Sequence, residues 1–279
     1  MVGSILRVAF LKLGNLGIAP LIEFLLDERA DREDIDVRVF GSGAKMEVPQ
    51  ATEITQRALE SEPDLLIIVT PNATLPGPTQ AIKMVEKTGI PAIVVSDKPT
   101  LKITSKLASE GLGYLIVTAD PMIGARREFL DPSEMVIFNS DIIKVLSITG
   151  ACNAVFQGID GSIDSLKAGR DVGLPHIIID KETAVEAAGF RNQYAKAKAM
   201  ASYEIAEHVT DVTQEGCFKV KDHRRYIPLV ASAHEMMRVA AQLADEAREI
   251  EKGGDRVTRT PHYTNGRILR KSRLIEKPR

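Results

Sequence analysis

The sequence predicts an α/β fold: an open, mostly parallel, doubly wound sheet followed by a helical region and a small C-terminal part that contains β-structure. Up to about residue 120, short apolar runs typical of buried strands alternate with segments of helical periodicity. After that point helical periodicity dominates and alanine becomes frequent. The predicted parts are an α/β domain at 1–125, a helical region with short strands at 126–255, and a hairpin-like segment at 256–279.

Five strands are predicted in the first domain. The run DLLIIVT is almost continuously apolar, as expected for a strand covered on both faces. Apolar residues recur at helical spacing from Ile18, and Pro20 suits a first helical turn. The strands are predicted at 7–13, 36–40, 64–70, 91–96 and 113–118, with helices from Ile18, near 50–60 and up to Gly89, and a loop at 97–100.

The second region is predicted to begin with a capped helix. Asp131 suits the N-cap, Pro132 the first helical position, and Glu134 stands three residues after the cap. Asn265-Gly266 is a type I′ hairpin signal. Further helices are predicted near 153–168, 181–189, 193–210 and 230–252, and extra strands at LPHIIID (174–180) and GCFKV (216–220).

Composition narrows the classes of function. Lys and Arg total 36 against 38 Asp and Glu, so no basic bias indicates a nucleic-acid partner, and no apolar run is long enough to predict a membrane span. Cys152 and Cys217 lie far apart with no CxxC, which favours reduced thiols and a cytoplasmic protein. The five histidines lack metal-ligand spacing, so no metal is predicted, and His234 is interpreted as a buried, hydrogen-bonded core residue rather than a proton carrier.

Three loops follow predicted strands and are rich in turn residues: 12–17, 70–78 and 96–100. Ligands of open α/β sheets bind beyond the carboxyl ends of the strands, so we expect these loops to lie at one edge and to converge on one cleft. The first loop has Gly14-x-x-Gly17 without a third glycine, which is compatible with a phosphate-binding turn and equally with a plain tight turn.

Two other clusters leave alternatives open. The second strand is followed by Gly41-Ser42-Gly43 and Lys45, with no acidic residue to grip the ribose of NAD; this suits a phosphate held by backbone amides or a simple glycine-rich turn. Before the second region lies a charged cluster that suits either a clamp on an anionic or pterin-like ligand or an ion-pair network at a junction. Its members are Arg126, Arg127, Glu128 and Asp131.

Long strings of the sequence carry a family resemblance. Among them are DPMIGARREFLDPSEM at 120–135, YAKAKAMASYEIAEHVTDV at 194–212 and YIPLVASAHEMMR at 226–238. These strings, in this order, resemble the coenzyme F420-dependent methylenetetrahydromethanopterin dehydrogenases of archaea. The resemblance runs from about residue 5 to the C-terminus.

The resemblance implies an oxidoreductase of archaeal one-carbon metabolism and methanogenesis. The methylene carbon of methylenetetrahydromethanopterin gives a hydride reversibly to C5 of coenzyme F420, an 8-hydroxy-5-deazaflavin, which leaves methenyltetrahydromethanopterin. Both bind as dissociable cosubstrates between the α/β domain and the helical region of a hexamer built as a trimer of dimers. Hydride transfer between two oriented rings needs no general base or nucleophile, so no catalytic residue is predicted.

On this resemblance, binding roles are expected for two sets of residues. The predicted coenzyme-binding residues are Lys12, Gly14, Asn15, Gly17, Thr70, Asn72, Ser96, Asp97 and Lys98. The predicted residues for the tetrahydromethanopterin-type substrate are Arg126, Arg127, Glu128 and Asp131.

The sequence departs from the family in these loops. Members commonly read Lys-Cys-Gly-Asn where this chain has Leu13 in place of the cysteine. Thr70 and Thr100 stand where glycine is usual, and Lys98 adds a charge. Two alternatives to the main interpretation follow: a related enzyme with altered cofactor use, such as NADP, or a protein that binds a pterin or deazaflavin without turning it over.

Overall fold

A computed structural model of the chain describes residues 5–27, 31–121, 129, 131–170 and 172–279. Six strands form one sheet in the order β2-β1-β3-β4-β5-β6. Their bounds are β1 Leu6–Lys12, β2 Ile35–Gly41, β3 Leu65–Thr70, β4 Ala92–Asp97, β5 Gly113–Val117 and β6 His176–Ile179. The predicted α/β class and parallel sheet are confirmed.

All neighbouring strands of this sheet are parallel. Residue pairing establishes this for the first five strands. At the last pair, the amide of Tyr114 donates to the carbonyl of Pro175 and that of Thr118 to Ile179, at 2.6 and 3.2 Å. Both partners advance by four residues in the same direction, so β6 is parallel to β5. The segment LPHIIID thus supplies the sixth strand, as an extension of the predicted sheet.

Helices fill most of the remaining described chain. They are α1 Ile18–Asp27, α2 Val48–Glu60, α3 Pro76–Glu86, α4 Thr104–Ser109, α5 Pro132–Thr149, α6 Ala151–Lys167, α7 Lys181–Ala188, α8 Gln193–Gln214 and α9 His223–Gly253. A 3-10 helix occupies Lys98–Ile103 and a π-helix Glu215–Lys219. Every position of β3 and β4 is buried, as the apolar pattern of DLLIIVT predicts for a strand covered on both faces.

Two compact units divide the chain. The sheet unit consists of Met1–Val117, Val155–Ile178 and Thr260–Leu269. The helical unit consists of Thr118–Ala154, Ile179–Arg259 and Arg270–Arg279. Because the segments of these two units alternate along the chain, the units do not test the predicted domain bounds at 125 and 255, which stay predictions.

Three local predictions are wrong. GCFKV is not a strand: it lies mostly in the π-helix that continues α8, where Gly216 packs closely against Val230 of α9. The 97–100 segment, which forms most of the third loop (96–100), is not irregular chain, because Asp97 caps the 3-10 helix and Pro99 stands in its first turn. Asn265-Gly266 is not a type I′ turn, since only Gly266 of the two has a positive φ, +82°.

The C-terminal segment forms isolated antiparallel bridges rather than full strands. His262 pairs with Ile268, and the Tyr263 amide donates to the Arg267 carbonyl at 2.8 Å. This geometry is a three-residue hairpin loop that ends in a left-handed glycine.

No single helix among the described residues is long and apolar enough to cross a membrane. The bent pair formed by α5 and α6 reaches the required length and apolarity when the two are taken together, on those criteria alone.

Candidate functional site

The three predicted loops leave adjacent strands at the same edge of the sheet. β1 is hydrogen-bonded to β3 and β3 to β4, and all three run parallel. Because β2 lies on one side of β1 and β3 on the other, the strand order reverses direction between β1 and β3. This is the position at which doubly wound sheets form a crevice for ligands. The predicted grouping of the loops at one edge is confirmed.

The first loop is a tight turn held by its neighbours. The Leu13 amide donates to the Val69 carbonyl at 2.8 Å. Gly14 has φ +89°, and a Cβ there would lie 2.4 Å from the sulfur of Met46. The positive φ therefore favours glycine at this position, and a larger residue would also have to displace the flexible Met46 side chain. Gly17 is buried and Asn15 is exposed at the tip.

Lys12 is paired within the sheet unit. Its Nζ lies 2.5 Å from Oε1 of Glu23 on α1, and both side chains are about one-third exposed. The charge of Lys12 is thus already balanced while its ammonium remains accessible to solvent. The sequence alone predicted no role for Glu23. Its position within α1, the helix that follows β1 and Lys12, is the signal that could have indicated one.

The second and third loops are joined by buried hydroxyl groups. Ser96 Oγ donates to the Thr70 carbonyl at 2.6 Å and lies 2.6 Å from Thr100 Oγ1. Thr100 Oγ1 also accepts the Ala73 amide at 2.9 Å. Thr70, Ser96 and Thr100 are each at most 1% exposed. Two of the predicted coenzyme-binding side chains, Thr70 and Ser96, therefore lie beneath the loop surface.

The remaining predicted residues of these loops are nearer to solvent or act as caps. Asn72 is half-buried, and its Oδ1 accepts both the amide and the hydroxyl of Thr74, at 2.9 and 2.6 Å. Asp97 is buried and its Oδ1 accepts the Lys98 amide at 2.6 Å. Lys98 itself is half-buried.

A fourth segment, the β2–α2 connection, packs against the same edge. A Cβ on Gly77 would lie only 2.0 Å from the Met46 carbonyl oxygen, so the N-terminus of α3 contacts this connection directly. The Gly14 amide donates to the Gly43 carbonyl at 3.2 Å. Sequence reasoning noted the glycines of this connection but missed Met46, which contacts both Gly14 and Gly77.

Of the charged cluster predicted to bind the substrate, Asp131 is the member that lies within the described residues. Arg126, Arg127 and Glu128 lie outside the described residues. Asp131 is the N-cap of α5, as predicted: its Oδ1 accepts the amides of Ser133 and Glu134 at 2.7 and 3.1 Å.

His234 in the helical unit is a buried, partnered histidine, as predicted. Its Nδ1 lies 2.9 Å from Glu134 Oε1. Its ring stacks on Phe138 with centroids 4.1 Å apart. Nothing in this geometry requires a proton-transfer role.

A further polar cluster, missed by sequence reasoning, follows β5 in the helical unit. Thr118 Oγ1 lies 3.3 Å from the Tyr203 hydroxyl and 3.2 Å from Glu207 Oε2. The Tyr203 hydroxyl donates to the Ile179 carbonyl. Within the described ranges, no group of three or more His, Cys, Asp or Glu residues is arranged to hold a metal ion.

Comparison with known proteins identifies the family. The family model for methylene-5,6,7,8-tetrahydromethanopterin dehydrogenase matches residues 6–279. The chain belongs to this dehydrogenase family. The F420-dependent methylenetetrahydromethanopterin dehydrogenase of Archaeoglobus fulgidus is 54% identical over 274 residues, covering 98% of this chain and 99% of the relative. That of Methanocaldococcus jannaschii is 50% identical over 275 residues, with the same coverage.

A solved structure of this dehydrogenase family is similar over the whole chain. It is described as F420-dependent methylene-tetrahydromethanopterin dehydrogenase in complex with methylene-tetrahydromethanopterin and coenzyme F420. The TM-score is 0.95 at 46% identity, covering 99% of this chain and 100% of the other. The resemblance predicted from the sequence is confirmed.

Proposed function

We propose that this chain transfers a hydride reversibly from methylenetetrahydromethanopterin to coenzyme F420 and so forms methenyltetrahydromethanopterin. The observation that carries the proposal is the match over nearly the full length to a dehydrogenase solved with both of these molecules bound. Close relatives that share about half of their residues with this chain carry the same name.

The site geometry suits a reaction in which the protein orients two ring systems. Coenzyme F420 supplies the hydride-accepting carbon, and transfer requires donor and acceptor carbons about 3–3.5 Å apart. The loops after β1, β3 and β4 are held by hydrogen bonds to their neighbours, and they provide backbone amides and short polar side chains in fixed positions. No side chain is assigned as an acid, base or nucleophile.

The coenzyme site is proposed at the three loops of the sheet unit. Lys12 and Lys98 are suited to the anionic tail of the coenzyme, because both are partly exposed cations. Asn15 and Asn72 offer amide groups near the loop tips. Gly14 and Gly17 keep the first loop compact, while Thr70, Ser96 and Asp97 support the other loops from beneath.

The pterin-type substrate is proposed to contact the segment that precedes α5. This proposal rests on Arg126, Arg127, Glu128 and Asp131, whose residue types suit an anionic or pterin-like ligand. Asp131 uses one carboxylate oxygen to cap α5, which holds its side chain in a defined position.

A cytoplasmic homo-oligomer, a hexamer built as a trimer of dimers, is proposed. Large apolar side chains are exposed on several helices: Val136 at 65%, Tyr194 at 79% and Phe218 at 72%. Association would remove these side chains from water. Cys152 and Cys217 are both buried and are not joined in a disulfide, which fits a reducing compartment. Light scattering tests the assembly, and a 30.5 kDa species at micromolar concentration would refute it.

The activity is tested by mixing the protein with coenzyme F420 and methylenetetrahydromethanopterin and following the deazaflavin absorbance band. Loss of the band at a rate proportional to protein concentration is expected. Reduction of NADP in place of the coenzyme would indicate altered cofactor use. Binding of both molecules without any absorbance change would indicate a non-catalytic binding protein.

A further inference from the structure

The hydroxyl groups of Ser96 and Thr100 form a hydrogen-bond chain with only one possible direction. A carbonyl oxygen cannot donate, so the Ser96 hydroxyl proton must point to the Thr70 carbonyl, 2.6 Å away. The 2.6 Å contact between the two hydroxyls must then use the Thr100 proton. Thr100 Oγ1 in turn accepts the Ala73 amide at 2.9 Å. The chain therefore runs from the Ala73 amide through both hydroxyls to the Thr70 carbonyl.

This chain closes a ring around a short stretch of the second loop. Its two ends, Thr70 and Ala73, are three residues apart, and Pro71 and Asn72 lie between them. Thr70, Ala73, Ser96 and Thr100 are all at most 1% exposed, so water does not compete for these bonds. Hydrogen bonds of one direction strengthen one another in such an environment. Side chains of the third loop thus fix the backbone conformation of the second loop.

The position of the Asn72 side chain depends on this backbone conformation. Its Oδ1 is already committed to the amide and hydroxyl of Thr74. That pairing orients the carboxamide so that its NH2 group is the part left to donate. Asn72 is half-buried, unlike the hydroxyl residues beneath it, and lies in the loop that follows β3, one of the two strands at the switch point of the sheet.

We propose that Ser96 and Thr100 are positioning residues for the coenzyme, acting through the Thr70–Ala73 backbone on the carboxamide of Asn72. Neither hydroxyl contacts the coenzyme in this proposal. The inference rests on the proposed function, since it assigns these residues to coenzyme binding by that activity.

The test compares Ser96→Ala, Thr100→Val and Thr100→Ser with Thr55→Val as a matched control. Thr55 is also fully buried in the sheet unit, but its hydroxyl donates to Ala51 within α2. Each variant is assayed for KM of coenzyme F420, KM of methylenetetrahydromethanopterin and kcat, and coenzyme dissociation constants are measured by direct titration. Urea unfolding of each variant checks that it is folded.

Ser96→Ala and Thr100→Val are expected to raise the coenzyme KM and dissociation constant roughly fivefold to tenfold. The KM for the pterin substrate and kcat at saturating coenzyme are expected to stay within about twofold of wild type, because the proposal assigns these hydrogen bonds to coenzyme binding alone. Thr100→Ser keeps the hydroxyl and is expected to restore coenzyme binding. Thr55→Val is expected to lower stability without changing either KM.

Unchanged coenzyme binding in folded Ser96→Ala and Thr100→Val would overturn the proposal, as would equal increases in both KM values. If Thr100→Val does not fold, Ser96→Ala decides, because it leaves the Ala73 amide bonded to Thr100. A wild-type protein that neither binds nor reduces the coenzyme would instead refute the proposed function.

Discussion

Oδ2 of Asp160 on α6 lies 2.9 Å from Nε2 of His262 in the C-terminal segment. Oδ1 of the same carboxylate lies 3.3 Å from the Arg32 guanidinium. All three side chains are at most 5% exposed, so this carboxylate joins three distant segments of the sheet unit in a dry environment.

Asp160→Ala is expected to lower the free energy of unfolding by about 3–5 kcal/mol, because it leaves the buried Arg32 with one partner fewer. Asp36→Ala is the control: Asp36 pairs with Arg38 at 3.3 Å, but both side chains are about half exposed or more. That variant is expected to lose less than about 1 kcal/mol. Urea unfolding measures both, and equal losses would contradict the assignment.

Asp34 makes the stability of the sheet unit depend on acid pH. Burial raises the pKa of Asp34, but hydrogen bonds from Arg32 and Lys167 outweigh it and hold the pKa below its ordinary value. A carboxyl whose folded pKa is lowered stabilises the protein above its unfolded pKa and loses that contribution as pH falls through the folded pKa. Stability is expected to fall below about pH 4. Asp34→Asn should show a shallower decline in urea unfolding between pH 6 and pH 3, and an unchanged slope would refute this account.

Gly77→Ala is expected to destabilise the protein by about 3 kcal/mol, because its new Cβ meets the Met46 carbonyl. Gly161→Ala is the matched control, since Gly161 is exposed in α6 and a Cβ there meets nothing within 4 Å. This second variant is expected to gain up to about 1 kcal/mol from helix propensity. Thermal unfolding distinguishes the two, and a tolerated Gly77→Ala would show that the β2–α2 connection moves away from α3 without cost.

Thr70→Val is expected to raise the free energy of unfolding by about 1 kcal/mol, because the buried Thr70 hydroxyl has no hydrogen-bond partner in the described part of the chain. Thr55→Val removes a hydroxyl that does have a partner, at 2.6 Å, and is expected to lower it by about the same amount. Chemical unfolding of the pair measures the difference in sign. A loss of stability in Thr70→Val would mean that its hydroxyl is satisfied in solution.

Lys98→Ala is expected to weaken coenzyme F420 binding by roughly 1 kcal/mol if Lys98 contacts the phosphate or carboxylate tail, with a smaller effect at high salt. Titration at low and high ionic strength checks this. Poor binding by wild type, restored when Thr70→Gly, Lys98→Ala and Thr100→Gly are combined, would show instead that these side chains fill the ring site. Tight binding unchanged by all three substitutions would place the coenzyme elsewhere.

The parallel sheet could be predicted because its buried strands appear in the sequence as continuous apolar runs. Asp131 and Pro132 likewise marked the start of α5 by local chemistry alone. The 3-10 helix after β4 was missed although Asp97 and Pro99 carry the same pattern of cap and first-turn proline.

Other features depend on contacts that no local pattern contains. The residues GCFKV have the apolar and aromatic character of a strand, but Gly216 allows close packing of the π-helix on α9. The burial of Thr70 and Ser96 follows from pairing between β3 and β4, and that of Thr100 from the 3-10 helix that places its hydroxyl against Ser96. The sequence therefore predicts that the three loops follow neighbouring parallel strands, but it does not show which of their side chains face inward.

The sheet unit is assembled from three separated segments, the last of which ends at Leu269. During synthesis, β5 leaves the ribosome long before β6, and Arg32 long before Asp160 and His262. At ordinary translation rates the intervening residues take on the order of ten seconds to appear. The nascent chain therefore carries an unpaired strand edge at β5 and an Arg32 that lacks its Asp160 partner throughout that interval, and the sheet unit completes its folding only after Leu269 has been made.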